Sequence, residues 1–342
     1  LVAGRYEQQI KIIGIHLAGT NTKKSAIVRT SVQLSRILSG LPNQYEFQVL
    51  KDAFAAYFPQ LPVEPIETGH QWRNCISPLF WEAFTPDLGA TSYQDSDNRL
   101  LEALNDLGGA HIFCIDTPLS LPPCLNCNLI CPGTMECPTN TVSHMRKEWE
   151  FSKKIFKKMR LPQPYIDRYF EVFARNHFEK DIIPTGLEFE AVMSSSRAPL
   201  TARGIRLARE IQSRYPHALI LETNSHASTI GWALICGENN VRYNLYRSPT
   251  QGAKQRAQIL QNLETFRIAV RSAGIHELLL NEIHYHLEVF LAAISAQSAW
   301  GLLTGLVVIN PEFLTLNASS PFRGWPCIPK GIISHARSKI SE

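Results

Sequence analysis

The stretch QIKIIGIHL, Gln9 to Leu17, is the stretch from which the fold is read. It is an Ile-rich β-type run that ends at Ala18, Gly19 and Thr20, and a second such run, Ser25 to Val32, follows it. The pair reads as a hairpin with a glycine-containing loop. A third extended run, Tyr45 to Leu50, comes after Gly40, Pro42 and Asn43, so the opening is expected to be a three-strand antiparallel meander. Further on, Ala110 to Ile115 is apolar nearly throughout, as a strand buried on both faces would be. It delivers Asp116 at its carboxyl end, the place where ligand sites gather in open α/β sheets. Ala218 to Leu221 reads as a fifth strand, and Glu222 follows at once.

Between Pro59 and Asp97 no period is sustained, and an insertion or long loop is expected there. Leu100, Leu101, Leu104 and Leu107 then mark a helix over Ser96 to Leu107, with Asp95 and Asp97 in its N-terminal turn. Helical patterns return at Met145 to Arg160, Tyr165 to Phe178, Leu200 to Arg214 with Thr201 as cap, Gly252 to Ala273, and Ile275 to Trp300. A strand is expected at Leu302 to Ile309. The order β, β, β, α, β, helical insertion, β, α describes an α/β fold: a mixed sheet, meander plus parallel strands, flanked by helices. We expect one elaborated domain over 1–342, with 117–198 as a helical and Cys-rich insertion.

With 342 residues, 44% hydrophobic and 19% charged, the chain can bury a sizeable core, which excludes global disorder. The net charge of +4 is too weak to imply nucleic acid by itself, so phosphate binding would need a local patch. Leu287 to Ile309 is the longest apolar tract, but Glu288, Ser295, Gln297 and Ser298 interrupt it and Gly301 and Gly305 divide it. A helix followed by a strand explains it better than a membrane span. Leu1 to Gln9 contain no apolar run, so no secretory segment is expected there, and a reducing cytoplasm is the expected compartment. No Gly-rich phosphate loop follows any strand, which removes support for ATP-driven or NAD-driven chemistry.

Three groups of residues carry chemistry. The first and fourth strands can lie side by side and present Asp116 next to His16, with Glu222 one strand further and Glu288 laid over the same edge by the late helix. Clustered carboxylates are what a hydrolytic Mg²⁺ or Mn²⁺ site needs, with two ions roughly 4 Å apart. The competing reading has Asp116 cap the loop Thr117 to Pro123 and Glu222 cap the next turn. In the second group, Cys124, Cys127, Cys131 and Cys137 give C-x2-C-x3-C-x5-C inside 14 residues. Four thiolates so close suit tetrahedral Zn²⁺ or an iron-sulfur cluster, and zinc is preferred because the spacing matches none of the usual cluster runs. His144 is an outside candidate ligand. The third group is a basic stretch, Arg146, Lys147, Lys153, Lys154, Lys157, Lys158 and Arg160, that could track phosphates or simply form a solvated helix face. Arg197, Arg203, Arg206 and Arg209 make a second basic face.

GIHLAGT at 14 to 20, CIDTPLSLP at 114 to 122, LETNSHAS at 221 to 228, HLEVFLAAISA at 286 to 296 and FRGWPCIPK at 322 to 330 resemble domain-of-unknown-function family 429. PQPYIDR at 162 to 168 and APLTARGIRLA at 198 to 208 are similar as well. Members of that family are predicted RNase H-like nucleases akin to RuvC. The resemblance implies an RNase H-like core and a metal-dependent nuclease in which Asp116, Glu222 and Glu288 are the acids of the fourth strand, fifth strand and final helix. His16 departs from the pattern, because it stands where the family has its first-strand aspartate. An imidazole supplies one neutral nitrogen where a carboxylate would bring charge and bridge two ions, so weakened Mg²⁺ binding follows, and so does a rival reading as a non-catalytic nucleic-acid or protein-binding module. An iron-sulfur redox sensor built on the cysteine loop is the third reading.

Overall fold

Strand β1 (Gln8–His16) lies in the interior of a mixed sheet. The computed structural model describes residues 8–18, 24–39, 63–65, 72–91, 95–155, 160–177, 186–238, 241–248, 251–271, 283–308 and 323–329. The further strands are β2 (Ala26–Leu34), β3 (Ile37–Ser39), β4 (Val63–Pro65), β5 (Leu79–Thr85), β6 (Ile112–Asp116), β7 (Leu219–Thr223), β8 (Ala269–Arg271), β9 (Val307–Val308) and β10 (Arg323–Pro329). Among the described residues, eight strands join one sheet in the order β8-β5-β2-β1-β6-β7-β10-β9. β3 and β4 pair separately. The β1–β2 and β2–β5 pairings are antiparallel, whereas β1–β6 and β6–β7 are parallel.

The third antiparallel strand is thus β5, inside the stretch from Pro59 to Asp97 expected to be loop. Tyr45 to Leu50, the run expected to fill that role, lies outside the described residues. β5 escapes a pattern search because its residues LFWEAFT are mostly half-buried rather than cleanly alternating. The hairpin, the parallel β6 and β7, and the Asp95 cap agree with the sequence reading. The Asp95 carboxylate accepts from the amides of Asp97 and Asn98, both at 2.9 Å, and starts α1 (Ser96–Asp106).

The remaining longer helices are α2 (Asn140–Ile155), α3 (Tyr169–His177), α4 (Ala198–Arg214), α5 (Ser225–Ile235), α6 (Gly252–Thr265) and α7 (Leu287–Leu303). Three expectations shift here. Thr201 sits inside α4 rather than capping it, and its hydroxyl donates to the Val192 carbonyl. α6 stops at Thr265, and the chain re-enters the sheet as β8 where the helix was expected to continue. α7 runs to Leu303, leaving only Val307–Val308 for the expected last strand among the described residues.

Side-chain parity sorts the core into two layers. Ile10 and Ile12 of β1 and Ile112 and Cys114 of β6 face the layer containing α7 and α5. Ile13 and Ile15, Phe113 and Ile115 face the layer containing α1 and α4. Both faces of the central strands are covered, which is why their sequences are nearly continuous apolar runs. Gly14 shares the α7 face, and a Cβ there would stand 1.9 Å from the Ala292 carbonyl oxygen and 2.8 Å from the Ala296 amide. The bare glycine lets the backbone of α7 lie directly on β1, and this close approach brings the first turn of α7, with Glu288, to the sheet end where His16 sits.

Candidate functional site

A cavity of about 660 Å³ opens where β1, β6 and β7 end, and His16, Asp116, Glu222 and Glu288 all contribute to its wall. Four residues spread over most of the chain therefore meet at one sheet edge, as the sequence reading required. His16 and Asp116 are register partners on adjacent parallel strands. The imidazole Nδ1 lies 2.7 Å from Asp116 Oδ2, so Nδ1–H donates to the carboxylate and Nε2 is left to act on a bound molecule.

Asp116 has further partners. Asn224 caps α5, its side chain accepting from the Ala227 amide at 3.0 Å, and the Ser225 amide at the start of that helix donates to Asp116 Oδ1 at 2.8 Å. The Ser225 hydroxyl donates to Oδ2. Burial would raise the Asp116 carboxyl, but the His16 bond and charge, the nearby His226 and the Ser225 hydroxyl hold it at about 2. Asp116 is therefore a permanent anion that orients the imidazole. Next to it, burial first, with the neighbouring His16, Arg247 and Arg197 acting the same way, outweighs the attraction of Asp116 and holds His226 down at about 3. His226 stays neutral and hydrogen-bonds the Tyr246 hydroxyl at 2.8 Å.

Glu222 takes a different course. It pairs in register with Ile115, not with Asp116, and so points to the opposite face of the sheet from the His16 and Asp116 side chains. There it accepts from the Leu119 amide at 2.7 Å and from Arg168, whose Nη1 and Nη2 reach its two oxygens at 2.8 and 2.7 Å. Arg168 also binds Glu171, with Nη2 to Oε1 at 2.6 Å, and the Ser120 hydroxyl at 2.9 Å. The three charged side chains are each no more than 4% exposed. Burial pushes the Glu222 carboxyl up, while Arg168 and the Leu119 amide pull it back. Burial alone would lower the Arg168 guanidinium, and Glu171 and Glu222 hold it above its ordinary value.

These contacts test the metal expectation. Both oxygens of Glu222 are filled by a guanidinium fork and an amide, and both oxygens of Asp116 by His16 and Ser225. The donor set does not fit a Mg²⁺ or Mn²⁺ pair. Among the described residues, no group of three or more His, Cys, Asp or Glu is arranged to hold a metal ion. Arg168 supplies internally the positive charge that a cation would bring to Glu222. It lies in the quoted stretch PQPYIDR, yet its role was not read from the sequence. A buried Arg is rare unless paired, so its partner acids were the signal to seek.

Cations line the cavity beside acids: Lys24, Arg197 and Arg247 share its wall with Glu190 and Glu288. Arg197, at the start of α4, stands 3.3 Å from Glu190. Arg247 donates to the Tyr243 hydroxyl at 2.7 Å and lies over that ring. Lys24 pairs with Asp87 at 2.7 Å. Glu288 faces the same space, with His286 Nδ1 at 3.8 Å.

The expected nucleic-acid residues divide. Arg146 is not free for phosphate: its guanidinium donates to the carbonyls of Thr134 at 2.9 Å and Cys137 at 2.8 Å and clamps the cysteine loop. Lys147, Lys153 and Lys154 are exposed on α2, while Lys157 and Lys158 lie outside the described residues. In the second basic face, Arg203 and Arg206 both reach Asp97, at 2.6 and 2.9 Å, and tie α4 to α1. The cysteine loop carries four free thiols, Cys137 buried and Cys131 exposed. His144 gives its Nδ1–H to the Asn140 carbonyl at 2.9 Å.

The fold and cavity define an α/β chain with a strand-end pocket built on a His–Asp pair and lined by cations and acids together. No protein-family model, curated protein or solved structure matches the chain. Among the described residues, no helix is long and apolar enough to cross a membrane.

Proposed function

We propose that the chain is an RNase H-like hydrolase of nucleic-acid phosphodiesters that uses His16 and Asp116, in place of a carboxylate-bound metal pair, to activate water. The observation that carries this reading is the 2.7 Å bond from His16 to a buried, ionised Asp116 at the cavity wall. The order β5-β2-β1-β6-β7, antiparallel through β1 and parallel beyond it, supports the RNase H-like frame.

His16 Nε2 takes a proton from water while the water oxygen bonds to phosphorus and the bond to the leaving oxygen breaks. Solvent protonates the departing oxygen. Asp116 stabilises the imidazolium that forms, and Arg197, Arg247 and Lys24 offset the charge on the phosphoryl oxygens. The test is cleavage of labelled DNA and RNA oligonucleotides, single and double stranded, in EDTA and with added Mg²⁺ or Mn²⁺. Turnover in EDTA is expected, reduced about 10²- to 10⁴-fold in His16→Ala and Asp116→Asn. Cleavage that EDTA abolishes and Mn²⁺ restores, or a His16→Ala variant as active as the parent, would refute it.

A second reading, a non-catalytic nucleic-acid module, is favoured by the exposed Lys147, Lys153 and Lys154 on α2. It predicts binding without cleavage that weakens steeply with salt, and less steeply once the three lysines are changed to glutamine.

A further inference from the structure

The charged side chains of the cavity wall are of two kinds. Arg168 is committed to Glu171 and Glu222, and Asp116 to His16 and Ser225. Lys24, Arg197, Arg247, Glu190 and Glu288 remain, three cations against two acids. The cations are loosely held. Lys24 and its partner Asp87 are each about half exposed, Glu190 stands 48% exposed at 3.3 Å from Arg197, and Arg247 is exposed over the Tyr243 ring. Exposed ion pairs are worth about 1 kcal/mol or less, so Lys24 and Arg197 can exchange their partners for a phosphate.

A track for a nucleic-acid strand is a groove with a clear excess of Lys and Arg along its length. This cavity has neither that excess nor that length. Its volume of about 660 Å³ lies in the range of roughly 300–1,000 Å³ that suits one small ligand, and its acids oppose a second and third phosphate. Glu288 also calls for a group that a phosphate does not supply. Its side chain is only 19% exposed, no hydrogen bond reaches its carboxylate among the described residues, and His286 Nδ1 stands at 3.8 Å, beyond hydrogen-bond range. A carboxylate only accepts, so the missing partner is a donor. Leu200 and Leu287, both half-buried, add apolar wall to the same cavity.

From these features we propose that the cavity seats one nucleotide unit, with its phosphate among Lys24, Arg197 and Arg247 and a neutral donor, a sugar hydroxyl or a base N–H, on Glu288. Resting on the hydrolase reading of the same site, this assignment makes the substrate a strand end or a short phosphodiester and not the interior of a strand. Two anchors of opposite character fix which way round the unit lies.

The experiment is calorimetry on the full chain in EDTA with guanosine 5′-monophosphate, its 2′,3′-dideoxy form, ribose 5-phosphate and inorganic phosphate. The nucleotide should bind once per chain, and inorganic phosphate more weakly. Losing a hydrogen bond to a charged acceptor lowers affinity about 10- to 100-fold. The dideoxy form should show that loss if the sugar is the donor, and ribose 5-phosphate should show it if the base is. Glu288→Ala should show the same loss with the whole nucleotide, and no further loss with the analogue that lacks the donor. If the alanine variant does not fold, Glu288→Gln, which keeps the shape but not the charge, takes its place with a smaller loss in the same direction. No binding of the nucleotide, equal affinity for all four ligands, or a Glu288 variant that binds like the parent overturns the proposal. In cleavage assays a linear strand should lose single nucleotides from an end while a covalently closed single-stranded circle stays intact. A circle that is cut overturns the one-nucleotide seat and leaves the hydrolase reading standing. Glu288-dependent nucleotide binding without cleavage of any strand removes the hydrolase reading and leaves the seat standing.

Discussion

Arg168→Met is the sharpest test of how the cavity is built. Methionine keeps much of the volume but removes the guanidinium that holds Glu222 by two bonds, Glu171 by its shortest contact of 2.6 Å, and the Ser120 hydroxyl. Summing charge-assisted bonds would overshoot, because an orphaned buried carboxylate can relax by taking a proton. Removing one partner of a buried ion pair costs about 3–5 kcal/mol, and that is the expected loss near neutral pH. With the guanidinium gone, the Glu222 carboxyl rises further above its unfolded value. A carboxyl raised in the folded state favours folding at low pH and loses that contribution as pH rises. Urea unfolding of the variant should therefore recover about 1.4 kcal/mol per pH unit for each orphaned acid as pH is lowered toward the ordinary carboxylate range. Adding Glu222→Gln and Glu171→Gln to Arg168→Met should return most of the loss and remove the pH slope. A single variant that loses less than about 1 kcal/mol, the range of an exposed pair, would show that the triad is not buried as described.

Three further outcomes follow. Gly14→Ala should cost about 1–3 kcal/mol or more by forcing a methyl against the α7 backbone, and should weaken the site together with stability because Glu288 moves with that helix; a melting temperature equal to the parent's would contradict the close contact. Asp116, held at about 2 from an ordinary 3.8, contributes on the order of 2 kcal/mol that is present above its unfolded value and lost as pH falls toward about 2. Asp116→Asn should flatten that acid limb in pH-dependent unfolding, and an unchanged limb would place the stabilisation elsewhere. His226, held down from 6.5 to about 3, should make the fold lose up to about 5 kcal/mol as pH drops between those values, since the unfolded chain takes up a proton that the native chain refuses. His226→Asn should remove that slope while Tyr246 keeps a polar partner.

How far the site was legible depends on strand parity. Residue type and strand ends sufficed to bring His16 beside Asp116, because a parallel pair in register puts terminal residues side by side. Glu288 was legible as an acid followed by apolar and small residues on a late helix, although that helix starts at Leu287 and not upstream as expected, so the acid stands in its first turn. Glu222 was placed at the right edge but its face was not read, since a shift of one residue in register reverses a side chain, and nothing in LILET announces which partner it takes. β5 and β8 were hidden for a related reason. Short strands are defined by the neighbours they pair with, and Leu79 meets Ala269 across a gap that no local pattern spans. Arg168 combines both difficulties: it comes from the segment before α3, far from β7 in the chain, and matters only because Glu222 turned away from Asp116. That turn also decides the chemistry. With Glu222 facing the α4 side and neutralised by Arg168, the α7 side keeps a His–Asp pair and one further acid, Glu288. Placing an aspartate at position 16 would then put a third carboxylate on that face. His16→Asp should gain Mn²⁺ binding by calorimetry while losing EDTA-resistant turnover, and a variant that binds no more Mn²⁺ than the parent would show that the acids on this face do not converge.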